Sequence, residues 1–257
     1  MISFAEAGRY LRRDDYTAVA KRNAEFLLNA LYPNNRLLRS WREGEAKHNA
    51  YLEDYAALIL GLLALYQSDP APRWFEQARN LTGEMNAHFH DPEGGFFDTR
   101  DDHETLLYRP KDVQDNAFPS GNALAANALL QMSAYELDLE GRESAEKMIG
   151  QMVDALSRYP TGFGQWLCAA DYALGPVKEV AILGNPKEPQ TQVLVDSLWE
   201  QYRPRLAAAI SNFPIASQGP KLLEERVLLN DQPSAYVCQN FVCQRPVNRH
   251  QDLLAQI

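Results

Sequence analysis

The stretch YAALILGLLALYQSDPAPRWFEQARNLTGEMNAHF, from Tyr55 to Phe89, predicts two helices joined by a tight turn. Apolar residues recur every three or four positions on each side of a proline-containing break at Ser68–Pro72, which is the spacing of one face of an α-helix. They are Tyr55, Leu58, Ile59, Leu62, Leu65 and Tyr66 before the break, and Trp74, Ala78, Leu81, Met85 and Phe89 after it. Such a helical hairpin must bury its apolar faces against neighbours, so it favours a stack of similar pairs.

The same helical period occurs on both sides of this pair. Helices are predicted over residues 2–11 and 16–30 before it, and over residues 121–136, 142–158 and 164–172 after it. Between them, GGFFDTR (94–100) and TLLYRPK (105–111) change to a period of two and predict an inserted β-hairpin. The short segment 36–44 is irregular and is compatible with one strand.

The composition changes after Gly175. VKEVAILG, RLAAAI and SAYVC have the β-branched and small residues of buried strands, and helices are predicted over 191–202 and at the C-terminus. We therefore predict a domain boundary near Gly175, with residues 1–175 mainly helical and residues 176–257 a small α/β region. No phosphate-binding glycine motif follows a strand, so nucleotide binding has no support.

The bulk composition describes a globular protein. The chain has 257 residues, of which 46% are hydrophobic and 23% charged, with a net charge of -9. The negative charge argues against nucleic-acid partners. The longest apolar run, ALILGLLAL, is far shorter than the ~20 residues of a membrane span, and the N-terminus does not have the pattern of a signal peptide. We predict a cytoplasmic protein with no membrane partner.

Four blocks of the sequence resemble one family and follow its order along nearly the whole chain. They are LEDYAALILGLLALYQ (52–67), HFHDPEGGFFDTRDDHETLLYRPKDVQDNAFPSGNALAANALL (88–130), EVAILG (179–184) and YVCQNFVCQRPV (236–247). The family is that of the thioredoxin-domain-containing proteins related to spermatogenesis-associated protein 20. The resemblance implies an α/α barrel of the six-hairpin glycosidase and N-acylglucosamine epimerase type, which follows a thioredoxin-like domain in that family.

Parts of the family pattern are missing here. Nothing in the chain resembles the thioredoxin-like domain, no C-x-x-C occurs, and the first helix pairs of the barrel are absent. A full ring of six hairpins needs on the order of 300 residues, so we expect a partial barrel with the inserted β-hairpin and the α/β tail. The expected partners are an upstream thioredoxin-like domain, or its separate equivalent, and a second copy of the chain, because incomplete rings expose apolar helix faces.

Asp54 and Asp115 are the candidate acid and base, with Asp98 in reserve. Asp54 directly precedes an amphipathic helix, where a carboxylate either caps the helix or, at a barrel mouth, takes part in catalysis. It matches an acidic pair of the family. A glycosidase needs two carboxyl groups roughly 5–10 Å apart, whereas an epimerase uses histidines or carboxylates as proton carriers.

The stretch DNAFPSGNALAANALL, which begins at Asp115, is either a tight start of a helix or the lip of a pocket. Ser120 is a predicted N-cap, and Asn122 is costly to bury on a helix unless it is paired. We interpret the stretch as a pocket lip for a sugar ligand. The candidate substrate-binding residues are Tyr55, Phe96, Arg109, Asn116, Ser120 and Asn122. The aromatic residues among them are equally typical of a core, and Arg109 of an ion pair.

No metal site or cofactor is predicted. The cluster His88, His90 and Asp91 does not have the spacing of a known metal site. The acids of the predicted hairpin tip, Asp101, Asp102 and Glu104, are most simply a solvated turn.

Cys238 and Cys243 match the terminal cysteine pair of the family and are redox candidates, although a pair of buried thiols is the simpler interpretation. Cys168 is predicted to lie in the core. The leading hypothesis is thus a carbohydrate-active or carbohydrate-binding barrel portion, similar to a glycoside hydrolase or sugar epimerase if it is an enzyme. The alternatives are a non-catalytic partner module of a redox protein and an inactive truncated remnant.

Overall fold

The computed structural model describes residues 1–103, 107–215 and 218–257, and these are mainly helical with two small sheets. Among the described residues before 175 there are eight α-helices: α1 (Ile2–Tyr10), α2 (Asp14–Leu31), α3 (Leu52–Ser68), α4 (Pro72–Phe89), α5 (Gly121–Glu136), α6 (Leu139–Gln151), α7 (Val153–Arg158) and α8 (Gly164–Leu174). They confirm the helices predicted from the periodicity, with the predicted helix 142–158 divided at Met152. None of the helices in the described residues is long and apolar enough to cross a lipid bilayer.

Four helices form a row in which each contacts the next: α1, α3, α5 and α8. The intervening helices pack behind this row, α2 on α1, α4 on α3 and α6 on α5. Helices α3 and α5 are buried on almost every side, which explains why one is rich in leucine and the other in alanine. At the start of α5, a Cβ atom on Gly121 would lie 3.1 Å from the backbone nitrogen of Glu53, so α3 and α5 approach closely at their N-terminal ends.

The β-hairpin is not where the sequence predicted it. Two antiparallel strands, β1 (Leu38–Arg42) and β2 (Glu45–Asn49), precede α3 and are joined by Glu43 and Gly44, both with positive φ. Residues 94–103 and 107–111 contain no strand, and Glu104 of the predicted tip lies outside the described residues. The backbone of this segment bonds elsewhere: the side chain of Asn122 pairs with both the N–H and the carbonyl of Phe96 at 2.9 Å. A period of two alone does not reveal such partners.

The C-terminal region is the predicted α/β unit. It contains β3 (Lys178–Leu183), α9 (Pro189–Leu198), β4 (Leu206–Ser211), β5 (Ser234–Gln239), β6 (Val242–Cys243) and α10 (His250–Leu254). The sheet order is β4-β3-β5-β6; β3 and β4 are parallel, as a β-α-β connection requires, and the other pairs are antiparallel. The short strand β6 was not predicted from the sequence.

The two faces of this sheet pack against different partners. Ala181, Ala207 and Tyr236 join the apolar core of the helical row, whereas Val180 and Ala208 join a second core with α9 and α10. The strands are therefore buried on both sides, which explains their continuous apolar composition. Apolar packing thus continues from the helical row into the sheet, and the domain boundary near Gly175 stays a prediction.

Candidate functional site

An acidic cleft lies at the N-terminal ends of α3 and α5. It has a volume of about 520 Å³ and is lined by Arg39, Tyr51, Glu53, Asp98, Pro110, Asp112, Gln114, Asn116, Ala117, Phe118, Pro119, Ser120 and Gly121. Three of these residues carry carboxyl groups. The free N–H groups at a helix N-terminus stabilise negative charge. The starts of α3 and α5 therefore stabilise carboxylates in the cleft, or a negative charge that forms during a reaction there.

Asp98 is the most perturbed carboxyl group of the cleft. Burial raises its pKa to about 6, and the nearby charges of Asp112 and Glu53 act in the same direction. The backbone N–H of Asp112 donates to Asp98 Oδ2 at 2.9 Å and partly offsets this effect. The segment is fixed from both sides, because Leu52 N–H donates to the Asp98 carbonyl and Asp98 N–H to the Pro110 carbonyl. Near pH 6, Asp98 therefore exists in both the protonated and ionised forms.

Arg39 of β1 joins the cleft to the start of α3. Its Nη1 donates to Glu53 Oε1 at 2.8 Å and to Asp54 Oδ2 at 2.9 Å, and its guanidinium lies over the Tyr51 ring. Asp54 lies in the first turn of α3, where its Oδ2 also accepts the Tyr51 N–H at 2.9 Å. Burial raises the pKa of Asp54, and these contacts oppose the shift. Asp54 is thus the third residue of the helix in a capping box whose N-cap is Tyr51, rather than the N-cap expected from the sequence, and it does not line the cleft.

The carboxylate of Asp115 accepts hydrogen bonds from two backbone N–H groups. Its Oδ1 accepts the Ser120 N–H and its Oδ2 accepts the Gln165 N–H, each at 2.8 Å. The carboxylate thus ties the start of α8 to the loop before α5, and it does not line the cleft. The nomination of Asp54 and Asp115 as acid and base stays a prediction, and the geometry directs attention to the reserve residue Asp98.

Two of the six candidate substrate-binding residues line the cleft, Asn116 and Ser120. Ser120 is also the predicted N-cap of α5, since its Oγ accepts the Ala123 N–H at 3.3 Å. Phe96 and Asn122 are buried and hydrogen-bonded to each other.

The other two candidates also serve the fold. Tyr55 is fully buried, and its hydroxyl accepts from Leu37 N–H and from Arg100. Arg109 stacks over the Phe97 ring and donates to the carbonyls of His88 and Thr99.

Sequence reasoning missed several residues of the cleft, namely Arg39, Tyr51, Glu53, Asp112 and Phe118. Glu53 and Tyr51 are neighbours of the nominated Asp54. Which of these side chains faces the cleft depends on the residue at which α3 begins, and the sequence did not locate that residue. Phe118 was within the nominated lip, and its side chain is 75% exposed. An aromatic residue next to Pro119 in a polar loop is the signal that could have identified it.

One group in the described residues has donor atoms close enough for a metal ion: His88, Asp101 and Asp102 lie within 4.8 Å of one another. Asp102 is already paired with Arg36 at 2.6 Å and Arg100 at 3.0 Å. Burial acts to raise the pKa of Asp102, but the hydrogen bonds with these arginines lower it to about 2. Asp101 and Asp102 are exposed turn residues, as expected from the sequence, and Asp102 is in addition paired with the two arginines.

The cysteines differ from the expectation of buried thiols. Cys238 and Cys243 are joined by a disulfide between β5 and β6, with Cys238 buried and Cys243 exposed. Cys168 is free and exposed, so its prediction as a core residue was wrong. It lies on the outward side of α8, which periodicity alone did not resolve.

Comparison with known proteins relates the chain to one family. No protein-family model matches it. The chain is 28% identical to spermatogenesis-associated protein 20 of Homo sapiens over 95% of its own length and 33% of the human protein. It is 26% identical to the Mus musculus protein of the same name over the same shares, and 26% identical to an uncharacterised Caenorhabditis elegans protein over 96% of this chain and 34% of that one. This similarity supports a relationship with the spermatogenesis-associated protein 20 family, and the chain spans about a third of the length of these relatives.

Proposed function

We propose that the cleft binds a carbohydrate, and that Asp98 is the proton donor if the bound sugar reacts. The observation that carries the proposal is a half-buried carboxyl group whose pKa is raised to about 6 in a cleft with two further carboxyl groups, Glu53 and Asp112. Acid catalysis near neutral pH requires such a protonated carboxyl group, and glycoside hydrolysis requires a second carboxylate beside it. Asp54 and Asp115 then have positioning roles, one at the start of α3 and one between α5 and α8.

The size and lining of the cleft support a sugar as the ligand. A volume of about 520 Å³ is within the range of small-molecule sites. The exposed Phe118 offers an aromatic surface for a sugar ring, and Gln114, Asn116 and Ser120 supply amide and hydroxyl groups for its hydroxyls. The acidic lining disfavours anionic ligands and so favours a neutral sugar.

The arrangement of the helices supports the same class. We propose that the row α1, α3, α5 and α8, backed by α2, α4 and α6, is an arc of a six-hairpin α/α barrel. In such barrels the ends of the inner helices surround the ligand site, and the cleft lies at the ends of α3 and α5. On this proposal the chain is a cytoplasmic barrel portion that works with a thioredoxin-like domain or its separate equivalent.

Saturation-transfer difference NMR with maltose, cellobiose and N-acetylglucosamine tests the binding. We expect saturation transfer from the protein to at least one of these sugars, and a severalfold smaller transfer signal from the variant Phe118→Ala. Phe213→Ala, which removes a similarly large side chain that is 44% exposed and is not in the cleft lining, is the matched control and should bind like the unmodified protein. Absence of transfer to all three sugars, or full transfer to Phe118→Ala, would contradict the proposal.

Hydrolysis of maltose or cellobiose, whose sugar alkoxide leaving group needs a proton, tests the proton donor. If the cleft is hydrolytic, Asp98→Asn should lower kcat by about a hundredfold or more with little change in KM, because the interaction is made in the transition state. Asp54→Asn and Asp115→Asn should act mainly through stability. A loss of kcat in Asp115→Asn with an unchanged rate in Asp98→Asn would reverse the assignment.

A further inference from the structure

The hairpin β5–β6 places two sulfur atoms at the edge of the sheet. Cys238 and Cys243 are direct partners in the register of the two strands, and a disulfide joins them. Cys238 is 1% exposed, whereas Cys243 lies on an exposed two-residue strand. An incoming thiol therefore reaches one sulfur from solvent, and the other sulfur lies behind it.

A guanidinium group contacts both sulfurs. Arg226 Nη2 donates to Cys243 Sγ at 3.1 Å and to Cys238 Sγ at 3.5 Å. The same guanidinium lies over the Tyr236 ring, with 4.9 Å between its carbon and the ring centroid, so its position is fixed by packing. A cation next to a sulfur favours the thiolate, which is both the nucleophile and the leaving group of disulfide chemistry.

The hairpin has other bonds that hold its shape. The backbone N–H of Phe241 in the turn donates to Glu179 Oε2 at 3.2 Å, and Gln244 N–H donates to the Val237 carbonyl at 2.9 Å. Arg142 donates to Asn240 Oδ1 at 3.3 Å. These contacts do not involve sulfur, so they keep the two cysteines in register when the disulfide is open.

We propose that Cys238 and Cys243 form a thiol–disulfide exchange site that accepts two electrons from dithiols, separate from the acidic cleft. A thiolate of the dithiol attacks the exposed Cys243 Sγ, the Cys238–Cys243 bond breaks, and Cys238 leaves as a thiolate beside Arg226. The second thiolate of the dithiol then attacks the mixed disulfide, and Cys243 leaves as a thiolate. The dithiol is oxidised to a disulfide, the protein gains two thiols after protonation from water, and the reverse reaction re-forms the bond.

The test measures the rate of reduction by dithiothreitol. The protein is quenched with iodoacetamide at intervals, and labels on Cys238 and Cys243 are counted by mass spectrometry. Cys168 is free and exposed, so its immediate labelling is an internal standard. We expect no label on the pair before reduction, labelling of both cysteines after it, and no labelling of either when oxidised glutathione is added to the reduced protein before the iodoacetamide.

The role of Arg226 is tested with a charge-matched control. Arg226→Gln should slow reduction by about threefold to tenfold, and Arg226→Lys should restore part of the rate. Arg245→Gln removes an equal charge from an exposed side chain of the segment after β6 that has no ion pair within the described residues, and it should react like the unmodified protein. In reduced Arg226→Gln, alkylation of Cys243 should also require a higher pH than in Arg245→Gln, which a purely structural role of Arg226 would not produce.

Three results would overturn the proposal. The first is full labelling of both cysteines before any reductant is added. The second is a reduced pair that oxidised glutathione does not convert back to the disulfide. The third is an equal rate of reduction in Arg226→Gln and Arg245→Gln. Circular dichroism of both variants confirms that they are folded before the rates are compared.

Discussion

The polar residues around the cleft divide into those that complete the backbone's hydrogen bonds and those that face solvent. Asn122 and Asp115 belong to the first group, since both ends of each side chain are occupied by backbone groups. Asp98 belongs to both, since its Oδ2 accepts the Asp112 N–H while its carboxyl group also lines the cleft. The sequence indicates that this region is polar, and it correctly predicts the N-cap Ser120 and the need of Asn122 for partners. It does not indicate which carboxylates bond to backbone N–H groups, because those partners lie up to 50 residues away.

Asn122→Ala should lower the free energy of unfolding by about 2–4 kcal/mol. The substitution leaves the buried N–H and carbonyl of Phe96 without their partner and removes the atoms that filled the site. Asn127→Ala, on the same helix, loses one hydrogen bond with Gln131 at a half-buried position and should change stability by less than about 1 kcal/mol. Urea denaturation measures both, and equal effects would mean that Asn122 has no special role.

The pH dependence of stability reports on Asp98. Its pKa rises from the ordinary 3.8 to about 6 through burial, so the folded state holds this proton more tightly than the unfolded state. The contribution of Asp98 to stability is therefore complete below pH 3.8 and is lost as the pH rises through about 6.

Asp98→Asn keeps an oxygen acceptor for Asp112 N–H and removes the titration. Between pH 4 and 7 its stability should rise relative to the unmodified protein by about 1 kcal/mol, a value reduced for solvent screening of a partly exposed group. Urea denaturation at several pH values measures this difference, with Glu143→Gln on the exposed face of α6 as the control. Parallel pH profiles for Asp98→Asn and the unmodified protein would show that Asp98 titrates normally.

At the scale of elements, the helices follow from hydrophobic period and the hairpins do not. The helical period continues over enough residues to identify both α3 and α4 and the turn between them. The strands β3, β4 and β5 are predicted from short runs of β-branched residues and alanine. The β1–β2 hairpin depends instead on the positive φ of Glu43 and Gly44. A Glu-Gly turn is a weaker hairpin signal than Asn-Gly or Asp-Gly. The described residues 94–103 and 107–111 have a strand-like period, but they form only an isolated bridge between Phe96 and His90.

The contact between the starts of α3 and α5 makes Gly121 sensitive to substitution. The Cβ of Gly121→Ala would meet Glu53 N at 3.1 Å and Leu52 Cδ2 at 3.2 Å, so the helices must separate at a cost of about 1–3 kcal/mol. Gly83→Ala, at an exposed position of α4 with no atom within 4 Å, should instead stabilise the protein by about 0.5–1 kcal/mol. Thermal denaturation distinguishes the two, and a stabilising Gly121→Ala would contradict this packing.

For the whole molecule, the decisive feature is that the sheet packs against the ends of the helical row. The Tyr135 hydroxyl of α5 donates to the Ala208 carbonyl of β4 at 3.3 Å, and Ala181 of β3 lies in the same core as the helices. The composition change at Gly175 suggested two separate units, since a local pattern carries no information on packing between distant segments. Self-association stays a prediction, and exposed apolar side chains such as Leu107 and Leu174 are candidates for such contacts.

The shared core predicts one cooperative unfolding transition. Hydrogen exchange measured by mass spectrometry across a urea series should show α3, α5, β3 and β4 losing protection at the same midpoint, because removal of either layer exposes the core of the other. Two separate midpoints, with the sheet more or less stable than the helices, would instead support independent domains that meet near Gly175.

We propose above all that the cleft binds a sugar beside a carboxyl group that titrates near pH 6. The most direct test is an NMR titration of the Asp98 side-chain carboxyl carbon, with and without N-acetylglucosamine, maltose and cellobiose. We expect a titration midpoint near 6 in the free protein and a shift of that midpoint when one of the sugars binds. A midpoint near 4 that no sugar changes would contradict it.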